Sequence, residues 1–282
     1  MNRYRIILIL MALSLFLLSA GCIQEQGTAN VTVSTPVPTQ ETMPGVLDRV
    51  TGETRAALDS LNATVADAAM KLGSTGISGP EADAVLVKLP ADNPAIVNVI
   101  TYDPNGTVLA AEPASAQILI GKNLFEHEIV RSTLKTEEPA MSEVIALAEG
   151  GEGSVLAYPV FSSDGNFTGV VSIAFSPYEL IAPLTEKAME DTPFTFTVAQ
   201  TGGLLLYHAN PDLVGKQTFN ESAFAGFPEI LDLARQYSAN RTGYETFPFY
   251  SVQSGKIVQK ETYWDTVGLH GTEWRVLVIG EM

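Results

Sequence analysis

The fold is decided by a stretch that occurs twice. Ile96-Val97-Asn98-Val99-Ile100-Thr101-Tyr102 alternates, Asp103-Pro104-Asn105-Gly106 turns, Thr107-Val108-Leu109-Ala110-Ala111 returns, and Gly121-Lys122 follows a loop later. Phe194 to Ala199 alternates in the same way, Thr201-Gly202-Gly203 turns, Leu204 to His208 returns, and Gly215-Lys216 follows. Alternation with β-branched and aromatic residues favours strands, and Asn-Gly or Gly-Gly supplies the positive φ that a tight hairpin needs. The two Gly-Lys pairs lie 94 residues apart, so a whole unit is repeated.

Reading outward, the second halves correspond as well. After Gly121 comes a helical pattern through Leu124 to Leu134, then strand patterns at Ala140 to Ile145, Ser154 to Phe161 and Gly169 to Phe175. After Gly215 comes a helical pattern through Phe227 to Tyr237, then strands at Gly243 to Tyr250, Ile257 to Tyr263 and Trp274 to Ile279. Each unit reads strand, strand, helix, then a three-stranded antiparallel meander. Ahead of them Leu47, Val50, Leu58, Leu61, Val65, Ala68 and Leu72 recur at steps near 3.6, with Thr54 in one apolar position. That is a long amphipathic helix, expected to stop at Gly73. The class is α+β, and the repeat favours two modules over one module and an unrelated domain. Residues 45–185 would hold the helix and the first module, and 186–282 the second.

This order resembles the double Cache family of extracytoplasmic sensor domains, in which a long N-terminal helix precedes two PAS-like modules. The motifs most like the family are His208-Ala209-Asn210-Pro211 with Leu213-Val214-Gly215-Lys216, and Tyr158-Pro159-Val160 entering an Asp-Gly hairpin before Gly169-Val170-Val171. The resemblance implies an antiparallel sheet flanked by helices in each module, a small ligand pocket, and a membrane-distal first module. Amino-acid-binding members carry an Arg-x-Trp-Tyr-like run, where this chain has Arg131-Ser132-Thr133-Leu134. A small organic acid, an amine or no ligand therefore remain open. Cache receptors continue into a membrane helix and a signalling domain, whereas this chain ends at Met282, so output is expected to pass through a partner.

The N-terminus carries an address. Arg3 and Arg5 precede an apolar run from Ile6 to Leu18, then Ser19-Ala20-Gly21-Cys22. That run is shorter than the roughly 20 residues of a membrane span and suits a secretory signal. Small residues before the only cysteine resemble a lipoprotein signal, with residues 1–22 as leader and Cys22 as the lipidated mature N-terminus, although Ser19 stands where that pattern prefers Leu. Residues 23–44, rich in Thr, Pro and Gln, read as a disordered tether. Loss of Arg3 and Arg5 moves the net charge from −16 to −18, which argues against nucleic acid as a partner. Six of eleven asparagines, Asn30, Asn62, Asn105, Asn166, Asn220 and Asn240, begin N-x-[ST] triplets, more than composition gives, which points to a glycosylated exterior.

No catalytic signature appears. Gly76-Ile77-Ser78-Gly79-Pro80 has Pro where a nucleophile elbow needs Gly, and His127-Glu128-Ile129-Val130 ends at Arg131 where a zinc protease needs His. With three dispersed histidines, neither a metal site nor a cofactor is expected. Binding is the better reading. Leu124, His127, Arg131 and Leu134 fall on one side of the first module's helix, so Arg131 could hold a carboxylate, with Tyr102 and Tyr158 supplying hydroxyls; pairing of Arg131 with Glu128 in solvent is the plainer alternative. In the second module Tyr207, His208, Tyr250 and Lys260 are the polar residues expected at a pocket, with His208 also a candidate turn residue, and Trp264 and Trp274 expected in the core. The first module is the expected ligand site. The chain thus reads as a lipid-anchored sensor for a small molecule, acting through a membrane signalling or transport partner, with a solute-binding lipoprotein of a transporter as the alternative.

Overall fold

A computed structural model describes residues 41–220, 224, 226–251 and 253–282. The leader, Cys22, Asn30 and the tether through residue 40 lie outside the described residues. Helix α1, Met43–Thr75, opens on Thr42, whose side chain accepts from the Gly45 amide, and its apolar stripe is buried along the whole length. Met43 is already part of that stripe, so the helix begins inside the expected tether. Thr54, fully buried, donates its hydroxyl to the Val50 carbonyl at 2.8 Å, which satisfies its polar group on the inward face. Gly73 does not end the helix: a Cβ there would stand 2.3 Å from the Phe161 carbonyl oxygen, so its glycine serves a close approach, while Gly76, at φ +91°, forms the C-cap. Thirty-three residues make a rod of about 50 Å.

Two separate antiparallel sheets pack on this rod. The first contains β1 (Ile96–Tyr102), β2 (Val108–Glu112), β3 (Ala140–Met141), β4 (Ile145–Ala146), β5 (Glu152–Phe161) and β6 (Phe167–Phe175), in the order β2-β1-β6-β5-β3 with β4 paired to β5. The second contains β7 (Thr195–Gln200), β8 (Leu205–His208), β9 (Gly243–Tyr250), β10 (Ile257–Leu269) and β11 (Thr272–Glu281), in the order β8-β7-β11-β10-β9. The two orders are the same path. In both, the second strand of the opening hairpin is the edge, and the last strand of the meander inserts beside the first.

The repeated Gly-Lys pairs perform one backbone task twice. A short 3-10 helix precedes each, at Ala114–Leu119 and Pro211–Leu213, and the glycine follows at positive φ. Gly121 donates to Val108 and Val108 to Lys122; Gly215 donates to Leu205 and Leu205 to Lys216. The turn thus clips the loop back onto the edge strand. Helix α4 (Glu128–Thr136) covers the first sheet and α6 (Pro228–Ala239) the second. Three helices lack a counterpart in the sequence reading: α2 (Pro80–Leu86), α3 (Lys88–Asp92) and α5 (Pro177–Asp191). Helix α5 runs across the boundary expected at residue 185 and packs on α1, β7 and β8.

Each sheet therefore has two apolar faces. Val198, Trp274, Val276 and Val278 face the shared core around α1, whereas Leu205, Leu277 and Ile279 face α6. The modules are joined by hydrogen bonds as well. Asn62 Oδ1 on α1 accepts from the Tyr158 hydroxyl of β5 at 2.6 Å and contacts His270 Nε2, at the β10–β11 turn, at 2.7 Å. Thr272 donates to the Met141 carbonyl at 2.6 Å. Asn62 is thus held inside a helix at the module junction, which makes it a poor glycan acceptor, in contrast to the exposed turn residues Asn105 and Asn166.

Candidate ligand cavity

The second module holds a half-open cavity of about 670 Å³ between its sheet and α6. That volume lies within the range of small-molecule pockets, roughly 300–1,000 Å³. Helix α6 supplies Ile230, Leu233 and Tyr237 at steps of 3 and 4; β9 supplies Phe247 and Phe249; β11 supplies Leu277 and Ile279, two apart on one strand face. Phe224 and Phe227 close a side, and Phe227 meets Phe249 edge-on with ring centroids 5.0 Å apart. Buried Arg275 keeps α6 in place by donating to the Tyr237 carbonyl at 2.7 Å.

The polar groups are few. Lys260 on β10 shares its inward face with Thr262 and Trp264 and is 5% exposed. Its ammonium has no hydrogen-bond or ion-pair partner among the described residues. Burial pushes its pKa down, and Glu281, its cross-strand neighbour, acts in the opposite direction. His208 lines the same wall and accepts the Asn210 amide on Nδ1 at 2.8 Å. Burial, the largest cause, and the charge of Lys260 bring its pKa down to about 4. The imidazole is therefore neutral at pH 7, and with Nδ1 accepting, its proton belongs on Nε2. Tyr237 donates to Thr218 at 3.2 Å, and burial raises its hydroxyl pKa to about 12. Thr195, Thr197, Tyr250 and Ser251 add to the polar lining, which among the described residues contains no Asp or Glu.

Of the residues expected at a pocket, the structure brings together His208, Tyr250 and Lys260. Tyr207 faces the other way, stacked on Tyr178 of α5 with ring centroids 5.9 Å apart, because β8 shifts register against β7 at this point. The four residues expected in the first module do not converge. Tyr102 is buried in the core, with burial raising its pKa and Thr133 beside it. Tyr158 lies on the α1 face of its sheet, where burial raises its pKa and Asn62 opposes the shift. Helix α4 starts at Glu128, so His127 is its N-cap and the expected helical steps through Leu124 and His127 do not exist. Arg131 is exposed, lines the open surface depression beside α4 and, instead of pairing with Glu128, donates to the carbonyls of Phe125 and Glu126 ahead of its own helix.

The space on the first module is divided between an open surface depression of about 570 Å³, lined by Pro104, Phe125, Arg131 and Leu134, and a small interior cavity. The interior cavity, of about 50 Å³, is filled by Leu119, Leu124, Ile129 and Val130 and by the loop carrying Leu147 and Glu149, whose carboxylate accepts from Asn98. This space holds little more than a water, which occupies about 30 Å³ in the liquid. The aromatic lining of the second cavity was missed by sequence reading, but a signal existed: Phe247 and Phe249 alternate on β9, and Phe247 stands opposite Lys260 in register. Among the described residues, no helix is long and apolar enough to cross a membrane and no cluster of His, Cys, Asp and Glu could hold a metal.

Comparison with known proteins agrees with this architecture. Residues 56–177 match the family described as HK/GC/chemotaxis protein-like, sensor domain. No curated protein matches the sequence. Among solved structures, an extracellular ligand binding receptor from Desulfohalobium retbaense is similar with a TM-score of 0.68 and 28% identity over 84% of this chain, which spans 40% of that receptor. The ligand-binding domain of the Pseudomonas aeruginosa amino acid chemoreceptor PctB, in complex with L-Gln, has a TM-score of 0.61 at 14% identity, covering 86% of this chain and 90% of that one. That of the Pseudomonas fluorescens chemoreceptor CtaA, in complex with L-serine, has a TM-score of 0.59 at 14% identity, covering 83% and 93%.

Proposed function

Starting from a double Cache sensor domain, we propose that the protein detects a small molecule outside the cytoplasm and that the ligand sits in the second module. The single observation that carries this is the half-open cavity of about 670 Å³, apolar but for a few convergent polar groups.

Anchoring through Cys22 belongs to the same proposal. Met43 at the start of α1 packs against Gly280 near the end of β11. A lipid at Cys22 would then place the second module nearer the membrane and the first farther from it. Exposed Asn105, Asn166, Asn220 and Asn240 are the candidate glycan acceptors on the outer surface. The continuous rod α1 and the hydrogen bonds at the Asn62 junction favour a sensor that signals through a partner over a hinged solute binder for a transporter.

The test is a thermal-shift screen of organic acids, amino acids and amines, paired with native mass spectrometry of the purified protein. Wild type should gain thermal stability with at least one class, and Leu213→Trp, which fills the cavity from its rim, should abolish the gain. A ligand whose shift survives Leu213→Trp but disappears on altering the first module would relocate the site.

A further inference from the structure

We infer that the second-module cavity takes a carboxylate on an apolar body, a ligand with no ammonium group of its own, and that Lys260 is its counter-ion. The inference rests on the reading of this cavity as the sensor's ligand site and adds the chemical class. An ammonium at an inward strand position, without an anion beside it, is expensive to keep. Glu281, opposite Lys260 in register, is exposed and beyond ion-pair distance. Among the described residues, the ligand-free site therefore holds a positive charge that has no ion-pair partner and lines a space of ligand size.

The remaining lining decides between anions. Among the described residues, no Asp or Glu lines the cavity. The ammonium of an α-amino acid would find no carboxylate there and would meet the field of Lys260. A free amine fares worse, and a neutral alcohol leaves Lys260 unpaired. A carboxylate alone satisfies the charge, His208 Nε2–H can donate to it, and the Phe227, Phe249 and Leu277 walls receive a ring or alkyl chain. The solved neighbours that hold L-Gln and L-serine bind zwitterions; the charge distribution here selects a different head group.

The test is isothermal titration calorimetry of the full chain with compounds that share a body and differ in head: 3-phenylpropanoate, L-phenylalanine, 3-phenylpropan-1-ol and 3-phenylpropylamine, with octanoate as a second body. The acids should bind, the amino acid and the alcohol at least tenfold more weakly, and the amine not at all. Lys260→Met should weaken the acids at least tenfold while leaving the alcohol unchanged or tighter, a reversal of preference that a merely misfolded variant cannot produce. Equal binding of the amino acid or the amine, or unchanged acid affinity in Lys260→Met, overturns the assignment and leaves the pocket reading standing. Failure of every compound also overturns it, and the broader screen with Leu213→Trp then decides the pocket reading by itself.

Discussion

Replacing Lys260 by methionine should make the ligand-free protein more stable, the reverse of what most changes at a buried position do. Methionine keeps the length of the side chain and removes the charge. Unpaired burial of an ammonium costs several kcal/mol after relaxation, and the cavity lets some water reach Lys260, so a gain of about 1–3 kcal/mol is expected. At roughly 2–4 °C per kcal/mol for a domain of this size, the melting temperature should rise by about 2–12 °C. The pH dependence separates this cause from better packing. Burial holds the folded pKa of Lys260 below 10.5, so the native state binds this proton less readily than the unfolded chain does. The penalty is complete below the folded pKa and fades as pH rises toward 10.5. Urea unfolding of both proteins, freed of ligand as judged by native mass spectrometry, should therefore show a large advantage for Lys260→Met at pH 7 that shrinks by pH 10. A variant less stable than wild type at pH 7, or an advantage that does not change with pH, would mean that the charge is already compensated and would refute the reasoning.

Three further outcomes follow from the geometry. His208 has a folded pKa of about 4 against the ordinary 6.5, so wild type should lose stability as pH falls from 6.5 toward 4, by up to about 3 kcal/mol, and His208→Gln should show a flatter profile in urea titrations across that window. In α1, Gly73→Ala should destabilise by about 1–3 kcal/mol because its Cβ meets the Phe161 carbonyl, whereas Gly52→Ala, with open space around it, should stabilise by about 0.5–1 kcal/mol in the same denaturation assay. Tyr158→Phe removes the hydroxyl that Asn62 accepts and should cost about 1 kcal/mol, with greater amide exchange at the β10–β11 turn; an unchanged exchange pattern would mean that this junction does not couple the modules.

The repeated hairpin, helix and meander were legible because each has a period and a punctuation: alternation in β1 and β7, Asn-Gly or Gly-Gly in the turns, Gly-Lys after them. The helices α2, α3 and α5 were not. Helix α5 carries an internal Pro183, and the segments of α2 and α3 are too short for a 3.6 repeat to stand out. Gly73 looked like a stop because a glycine that admits a neighbouring backbone and one that ends a helix are the same letter. The site was half legible. Strand alternation fixes which face a residue takes, so Lys260 was readable on β10, whereas Tyr207 depends on a register shift that only the paired strand reveals. The misplacement of Arg131 had a similar origin: the helix was started four residues early, and the loop at Leu147–Glu149 that fills the first cavity bears no local mark of its destination.

The sheet of the second module is a partition. One face touches the cavity and the other touches α1, so a molecule that pushes β10 or β11 aside presses directly on a rod that also lies against the first module. With Met43 and Gly280 in contact, that rod and the final strand meet at one pole of the molecule, where a displacement of either would be felt together. The design is that of a lever whose load and fulcrum share a wall.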